Sequence, residues 1–109
     1  MRNLAEMLFA KGVAVISDLI STERKLELCK TLASNLPVLR AKAHLSQDEL
    51  ADRLGFSRQT ISAVETMKRD MQWSTFSAIV LFLSKDEGVK PLMIVMGILD
   101  DDVRAILNI

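Results

Sequence analysis

Residues 46–67 decide the fold, and they read SQDELADRLGFSRQTISAVETM. Ser46 is a preferred helix N-cap residue, and Glu49, three positions later, completes a capping-box pattern. Gly55 suits the left-handed position that ends a helix, and Ser57 can cap a second helix almost at once. The stretch therefore predicts two short helices joined by a three-residue link. So short a link requires the helices to cross at a steep angle.

The second of these helices separates into two faces on a wheel of 100° per residue. One face carries Arg58, Ser62, Thr66, Gln59 and Ala63, and the other carries Thr60, Val64, Ile61 and Glu65. The first, mostly polar face begins with Arg58 and Gln59, whose side chains can form paired hydrogen bonds with guanine and adenine edges in a DNA major groove. Both residue types are also common on an ordinary solvated helix face. By itself the pattern leaves both interpretations open.

The segment from about Leu36 to Leu83 resembles the helix-turn-helix domain of the Cro and phage-repressor type, also called the xenobiotic response element (XRE) family of bacterial regulators. The run LSQDELADRLGFSRQTISAVE carries the resemblance, and five residues in it fall on characteristic family positions: Gln47, Ala51, Gly55, Ile61 and Glu65. The resemblance implies an all-α fold, a compact five-helix lambda-repressor-like domain with extra N- and C-terminal helices. It also implies that Arg40 pairs with Glu65 and braces the second motif helix.

The family resemblance further implies roles for the polar residues of the motif. A recognition helix over residues 57–67 would enter the major groove of duplex DNA, where Arg58, Gln59 and Ser62 would read bases. Phosphate contacts would come from Gln47, Thr66, Lys68 and Arg69. One departure lies after the recognition helix, where family members often carry Asn-Gly-Lys and this chain has Thr66, Met67 and Lys68. The missing glycine leaves the geometry of that turn open.

The rest of the chain is also predicted to be helical, because Gly and Pro are sparse and apolar residues recur at intervals of three and four. Helices are expected over residues 3–11, from Ser21 or Thr22, over 73–83, over 89–98 and from Asp100, with residues 12–20 forming a helix or a turn. Proline suits the first turn of a helix better than its interior. Pro37 therefore predicts a new helix over about residues 36–43, with Asn35 as its N-cap.

Three segments follow from this reading: residues 1–34 as an N-terminal helical extension, 35–88 as the helix-turn-helix DNA-binding domain, and 89–109 as a C-terminal helical extension. Both flanks are more apolar than such a domain needs, so we expect them to form a dimer interface or a surface for a protein partner. A single recognition helix covers few base pairs. We therefore expect a homodimer on an inverted repeat, with half-sites about one helical turn, or ~34 Å, apart.

Composition excludes several other classes of protein. Fourteen basic and fourteen acidic residues cancel, so net charge gives no hint of a nucleic-acid partner. The longest apolar run, residues 78–83, is too short to span a bilayer, and the single Cys29 cannot form an internal disulfide and is expected in the core. With one histidine and no phosphate-binding loop, we expect no enzyme activity, cofactor or metal site. We expect a cytoplasmic protein without membrane contact.

Three hypotheses remain from the sequence. The first is a transcriptional regulator that binds duplex DNA specifically, in bacteria or a phage. The second is an antitoxin-like operator binder whose apolar flanks hold a protein partner. The third is an interaction module that has kept the fold and lost DNA binding, which the zero net charge and the altered turn after Glu65 favour.

Overall fold

The computed structural model describes residues 19–109, which form six α-helices and no strand. The helices are α1 (Thr22–Lys42), α2 (Gln47–Leu54), α3 (Arg58–Glu65), α4 (Trp73–Leu83), α5 (Val89–Val95) and α6 (Asp101–Leu107). The all-α fold class is therefore confirmed. The expected helix over residues 3–11, and residues 12–18 of the segment that follows it, lie outside the described residues.

The expected helix break before Pro37 is wrong, because α1 runs without interruption through that residue. A stripe of four leucines along α1 is almost completely buried: Leu28, Leu32, Leu36 and Leu39. Asn35 does not cap a helix, and its side-chain amide instead donates to the Thr31 carbonyl oxygen at 2.8 Å. Burial of the continuous stripe outweighs the backbone hydrogen bond that Pro37 cannot donate. The start of α1 is as predicted, since Ser21 Oγ accepts from the Arg24 amide at 3.1 Å.

A single hydrophobic core draws on all six helices, and α1 lies at its centre, in contact with α3, α4 and α5. The shorter helices contribute Leu50, Ala51, Ile61, Val64, Phe76, Ile79, Val80, Leu83, Val89, Met93 and Val103, all buried. Helix α2 packs across α3 and also contacts α4. The two motif helices are thus packed against each other, with α3 on α1 and α2 on α4. No helix in residues 19–109 is long and apolar enough to cross a membrane.

The helix expected over residues 89–98 is shorter than predicted, because α5 ends at Val95 and Gly97 follows with φ +77°. Among residues 19–109, α5 is buried on one side only. Val89 and Met93 face the core, whereas Val95 is 83% exposed. The predicted cap on α6 is confirmed, since Asp100 Oδ1 accepts from the Val103 amide at 2.9 Å. The C-terminal helices therefore leave an apolar surface uncovered by this part of the chain.

Candidate nucleic-acid interface

The ends of the two motif helices are fixed by local hydrogen bonds. Ser46 Oγ accepts from the Glu49 amide at 3.0 Å and Glu49 Oε1 accepts from the Ser46 amide at 3.1 Å, which confirms the predicted capping box. The hydrogen bond from the Ser46 backbone lowers the pKa of Glu49. Gly55 adopts φ +74° and ends α2, and Ser57 Oγ then accepts from the Thr60 amide at 3.2 Å. The link between the helices leaves little freedom in where α3 begins.

The apolar sides of α2 and α3 face each other and the core. Leu50 and Ala51 on α2 and Ile61 and Val64 on α3 are each at most 2% exposed. The small Ala51 allows the two helices to approach closely where they cross. Because the apolar face of α3 is buried in this way, its opposite face is directed toward solvent.

A hydrogen-bonded network ties α3 to α1 and α2. Arg40 Nη2 donates to Glu65 Oε1 at 2.7 Å, and Arg40 Nε donates to Glu65 Oε2 at 2.9 Å. Arg40 Nη1 also donates to the Leu45 carbonyl oxygen at 3.1 Å, and Gln47 Nε2 donates to Glu65 Oε1 at 3.1 Å. The Glu65 side chain is 4% exposed and that of Arg40 is 15% exposed. Bonds between charged groups so poorly hydrated are strong, so this network fixes α3 relative to the two preceding helices.

A shallow groove runs along the outer face of α3. It is lined by Arg58, Gln59, Ser62, Ala63, Thr66 and Lys68. The groove thus brings together all three residues predicted to read bases. It also includes two of the four residues predicted to contact phosphate, Thr66 and Lys68. Arg58 and Gln59 are exposed at its N-terminal end.

The other two residues nominated for phosphate contact lie elsewhere. Gln47 begins α2 and is held by Glu65. Arg69 lines a separate cavity between α1 and the segment after α3, and its Nη1 also donates to Thr60 Oγ1 at 3.5 Å. Burial raises the pKa of Cys29, on the wall of the same cavity, to about 11, so its thiol stays protonated at neutral pH.

The turn after α3 keeps a glycine-like conformation without a glycine. Met67 has φ +58°, its amide donates to the Val64 carbonyl oxygen at 3.1 Å, and the Lys68 amide donates to the Ala63 carbonyl oxygen at 2.9 Å. These two bonds form a Schellman motif, in which the left-handed residue usually is glycine. A left-handed conformation costs a side-chain-bearing residue about 1 kcal/mol. The turn geometry is thus maintained at a small cost, and Lys68 is delivered to the groove.

Sequence reasoning missed one charged residue beside the groove, Asp48. Its Oδ1 lies 3.9 Å from Arg58 Nε, and both side chains are largely exposed. The two residues are on different helices, so only the crossing of α2 and α3 brings them together. No local sequence pattern signals such a contact. Within residues 19–109, no cluster of His, Cys, Asp or Glu side chains is arranged to hold a metal ion.

Comparison with known families identifies the class of this domain. Residues 39–79 match a family model described as helix-turn-helix, which extends from the end of α1 into α4. The family resemblance drawn from the sequence is confirmed, and this part of the chain is a helix-turn-helix domain. Such a domain indicates a DNA-binding regulator and is not typical of enzymes. No curated protein and no solved structure gives a significant match to the chain.

Proposed function

We propose that this protein is a transcriptional regulator that binds duplex DNA in a sequence-specific manner, with α3 in the major groove. The observation that supports this most directly is the groove on α3, where Arg58, Gln59 and Ser62 share one outward face. The bases would be read by these three side chains, with Arg58 suited to guanine and Gln59 to adenine. The site of action would be the cytoplasm, where bacterial DNA lies.

Phosphate contacts would orient α3 on the duplex. Gln47 Nε2 donates one of its two hydrogens to Glu65, which leaves the second for a phosphate oxygen. Lys68 supplies a positive charge at the end of the groove. The Thr66 hydroxyl donates to the Ser62 carbonyl oxygen at 2.9 Å and would have to turn outward to donate to a phosphate. Arg69 would have to swing away from Thr60 to reach the DNA.

The proposed active form is a homodimer on an inverted repeat. Residues 35–88 would make the DNA contacts. The flanks 1–34 and 89–109 would make the protein contacts through surfaces other than the buried stripe of α1, whose Leu28 and Leu32 lie in the core. The exposed Ile94 and Val95 on α5 support this assignment, because two adjacent exposed apolar side chains offer a surface that a partner can bury. The same surface also fits an antitoxin-like regulator whose partner is a different protein. A partner that co-purifies at equal stoichiometry would favour that second candidate.

Selection of duplexes from a random library by the purified protein tests the proposal. We expect an enriched inverted repeat and an affinity that falls steeply with salt. Arg58→Ala and Gln59→Ala should each weaken binding by about 1 to 3 kcal/mol and relax the preference at one base pair. Arg53→Ala is the matched control, since it removes an exposed arginine of α2 that does not line the groove.

Two results would overturn the proposal. Absence of both enrichment and binding at low salt would leave an interaction module that has lost DNA binding. A protein that sediments as a monomer at micromolar concentration, with and without the selected DNA, would contradict the dimer.

A further inference from the structure

Asp48 is placed to act on the Arg58 guanidinium. Within residues 19–109, Arg58 is the only cationic group that lies within 4.0 Å of the Asp48 carboxylate. The contact is made through Arg58 Nε at 3.9 Å, with the side chains 64% and 75% exposed for Arg58 and Asp48. At 3.9 Å this closest approach is longer than a hydrogen bond, so Asp48 does not occupy a donor of Arg58 and acts on it through charge. Guanine recognition by arginine uses paired donors toward O6 and N7.

The carboxylate of Asp48 is not needed to cap α2. Ser46 and Glu49 already satisfy each other's backbone amides at that helix end. Asp48 also lies next to Gln47, which the proposed function places against a phosphate. A negative charge beside a phosphate is repulsive, so Asp48 opposes DNA binding in general.

We propose that Asp48 is a positioning residue that holds Arg58 for guanine recognition. Its restraint on Arg58 raises the selectivity for guanine, while its negative charge lowers the affinity for DNA in general. This inference rests on the proposed function. In solution the ion pair is weak because both side chains are exposed. In the complex, the DNA excludes water from the pair, and the attraction between the two charges strengthens. Asp48 then restrains the direction of the guanidinium while its charge disfavours every duplex, whatever the sequence.

The two effects predict opposite changes when the charge is removed. Asp48→Asn should bind all duplexes more tightly, because one repulsive charge is lost. It should also discriminate less well at the base pair read by Arg58, by up to about fivefold, the size of a surface ion-pair coupling. A residue with only a structural or bulk electrostatic role would change affinity without changing the preference at that one position.

Asp52→Asn provides the matched control. Asp52 is exposed, lies one turn further along α2 and forms no ion pair with Arg58. The experiment measures equilibrium binding of the wild type, Asp48→Asn and Asp52→Asn to the selected site and to the site with the guanine replaced. That base pair is identified beforehand as the one whose preference is lost in Arg58→Ala. Thermal melts confirm that each variant is folded.

The expected result is a reduced guanine preference in Asp48→Asn alone, with higher general affinity in both variants. In an Arg58→Ala background, Asp48→Asn should no longer alter the preference. Equal guanine preference in the wild type, Asp48→Asn and Asp52→Asn would overturn the positioning role while leaving the proposed function intact. A wild-type protein that binds no duplex would instead overturn the proposed function itself.

Discussion

At the scale of single residues, Glu65 is the side chain on which the motif network depends most. It accepts hydrogen bonds from Arg40 and Gln47 and is almost completely buried. Arg40→Met would leave its carboxylate in a poorly hydrated site with Gln47 as its remaining partner. Removing one member of such a pair costs about 3 kcal/mol. We expect the free energy of unfolding to fall by that amount in urea denaturation.

A double variant separates loss of the pair from loss of the side chains. In Arg40→Met with Glu65→Leu no unpaired charge remains, so the double variant should be more stable than Arg40→Met alone. If the losses in free energy of unfolding of Arg40→Met and of Glu65→Leu, measured separately, sum to the loss in the double variant, the two side chains do not interact energetically. The same double variant should bind DNA poorly even where it is stable, because Gln47 has lost the group that holds it.

Residue patterns alone predict those parts of the site whose geometry is local, whereas the Arg40–Glu65 pair, whose partners are 25 positions apart, is predicted only through the family resemblance. The caps at Ser46 and Ser57 involve groups three positions apart, so a short pattern specifies them. The contact of Asp48 with Arg58 depends on the angle between two helices, which no short pattern encodes. The left-handed conformation of Met67 could not be predicted from the sequence for a different reason. Residue type favours glycine at that position, yet backbone hydrogen bonds and the packed end of α3 impose the left-handed conformation on methionine.

At the scale of secondary structure elements, the packing of α1 in the core outweighs the tendency of Pro37 to break the helix. Proline in a helix interior removes one hydrogen bond and clashes with the preceding turn, which is why the sequence suggests a break at Pro37. The leucines before and after Pro37 nevertheless lie on one buried stripe. Breaking the helix would turn part of that stripe away from the core. Helix continuity is therefore decided by the core, at a local cost.

That cost gives a prediction for Pro37→Ala. Pro37 is exposed, so alanine creates no cavity and restores a donor for the Ala33 carbonyl oxygen. Proline is about 3 kcal/mol less favourable than alanine within a helix. Proline also restricts the unfolded wild-type chain, and losing this restriction in Pro37→Ala offsets up to about 1 kcal/mol of the gain. We expect a gain of about 2 kcal/mol in the free energy of unfolding, measured by urea denaturation.

Ser34→Ala is the control for this prediction. Ser34 is exposed on the same helix one turn earlier, and alanine there improves helix propensity without restoring a backbone hydrogen bond. Its gain should stay below about 0.5 kcal/mol. A Pro37→Ala protein less stable than the wild type would mean that the core requires a bend which the proline provides.

At the scale of the whole molecule, the C-terminal helices are joined to the start of α1. Arg24 Nη2 donates to Asp100 Oδ2 at 2.7 Å and to the Gly97 carbonyl oxygen at 3.4 Å. Buried Ile98 and Leu99 lie between these two acceptors in the chain and add α5 and α6 to the core. The sequence predicts the helices but not this junction, because its partners are more than 70 positions apart. The two ends of the described fold are thus joined by a direct contact.

The Asp100 carboxyl makes this junction sensitive to acid. Burial by itself would raise the pKa of Asp100, but the hydrogen bonds from Arg24 and the Val103 amide, together with the Arg24 charge, lower it below its ordinary value. A carboxyl with a lowered pKa in the folded state stabilises the fold fully above its unfolded pKa of about 3.9. That contribution is lost as the pH falls below this value toward the folded pKa.

Asp100→Asn isolates the charge, because asparagine is as good an N-cap for α6 as aspartate. The variant should be less stable than the wild type at pH 7, and the difference in free energy of unfolding should shrink as urea titrations are repeated from pH 5 down to pH 3. Asp101→Asn removes the neighbouring exposed carboxylate, which does not contact Arg24. Its difference in free energy of unfolding from the wild type should therefore change less with pH. A difference between the wild type and Asp100→Asn that stays constant over this range would show that the Arg24 pair contributes nothing to holding the C-terminal helices in place.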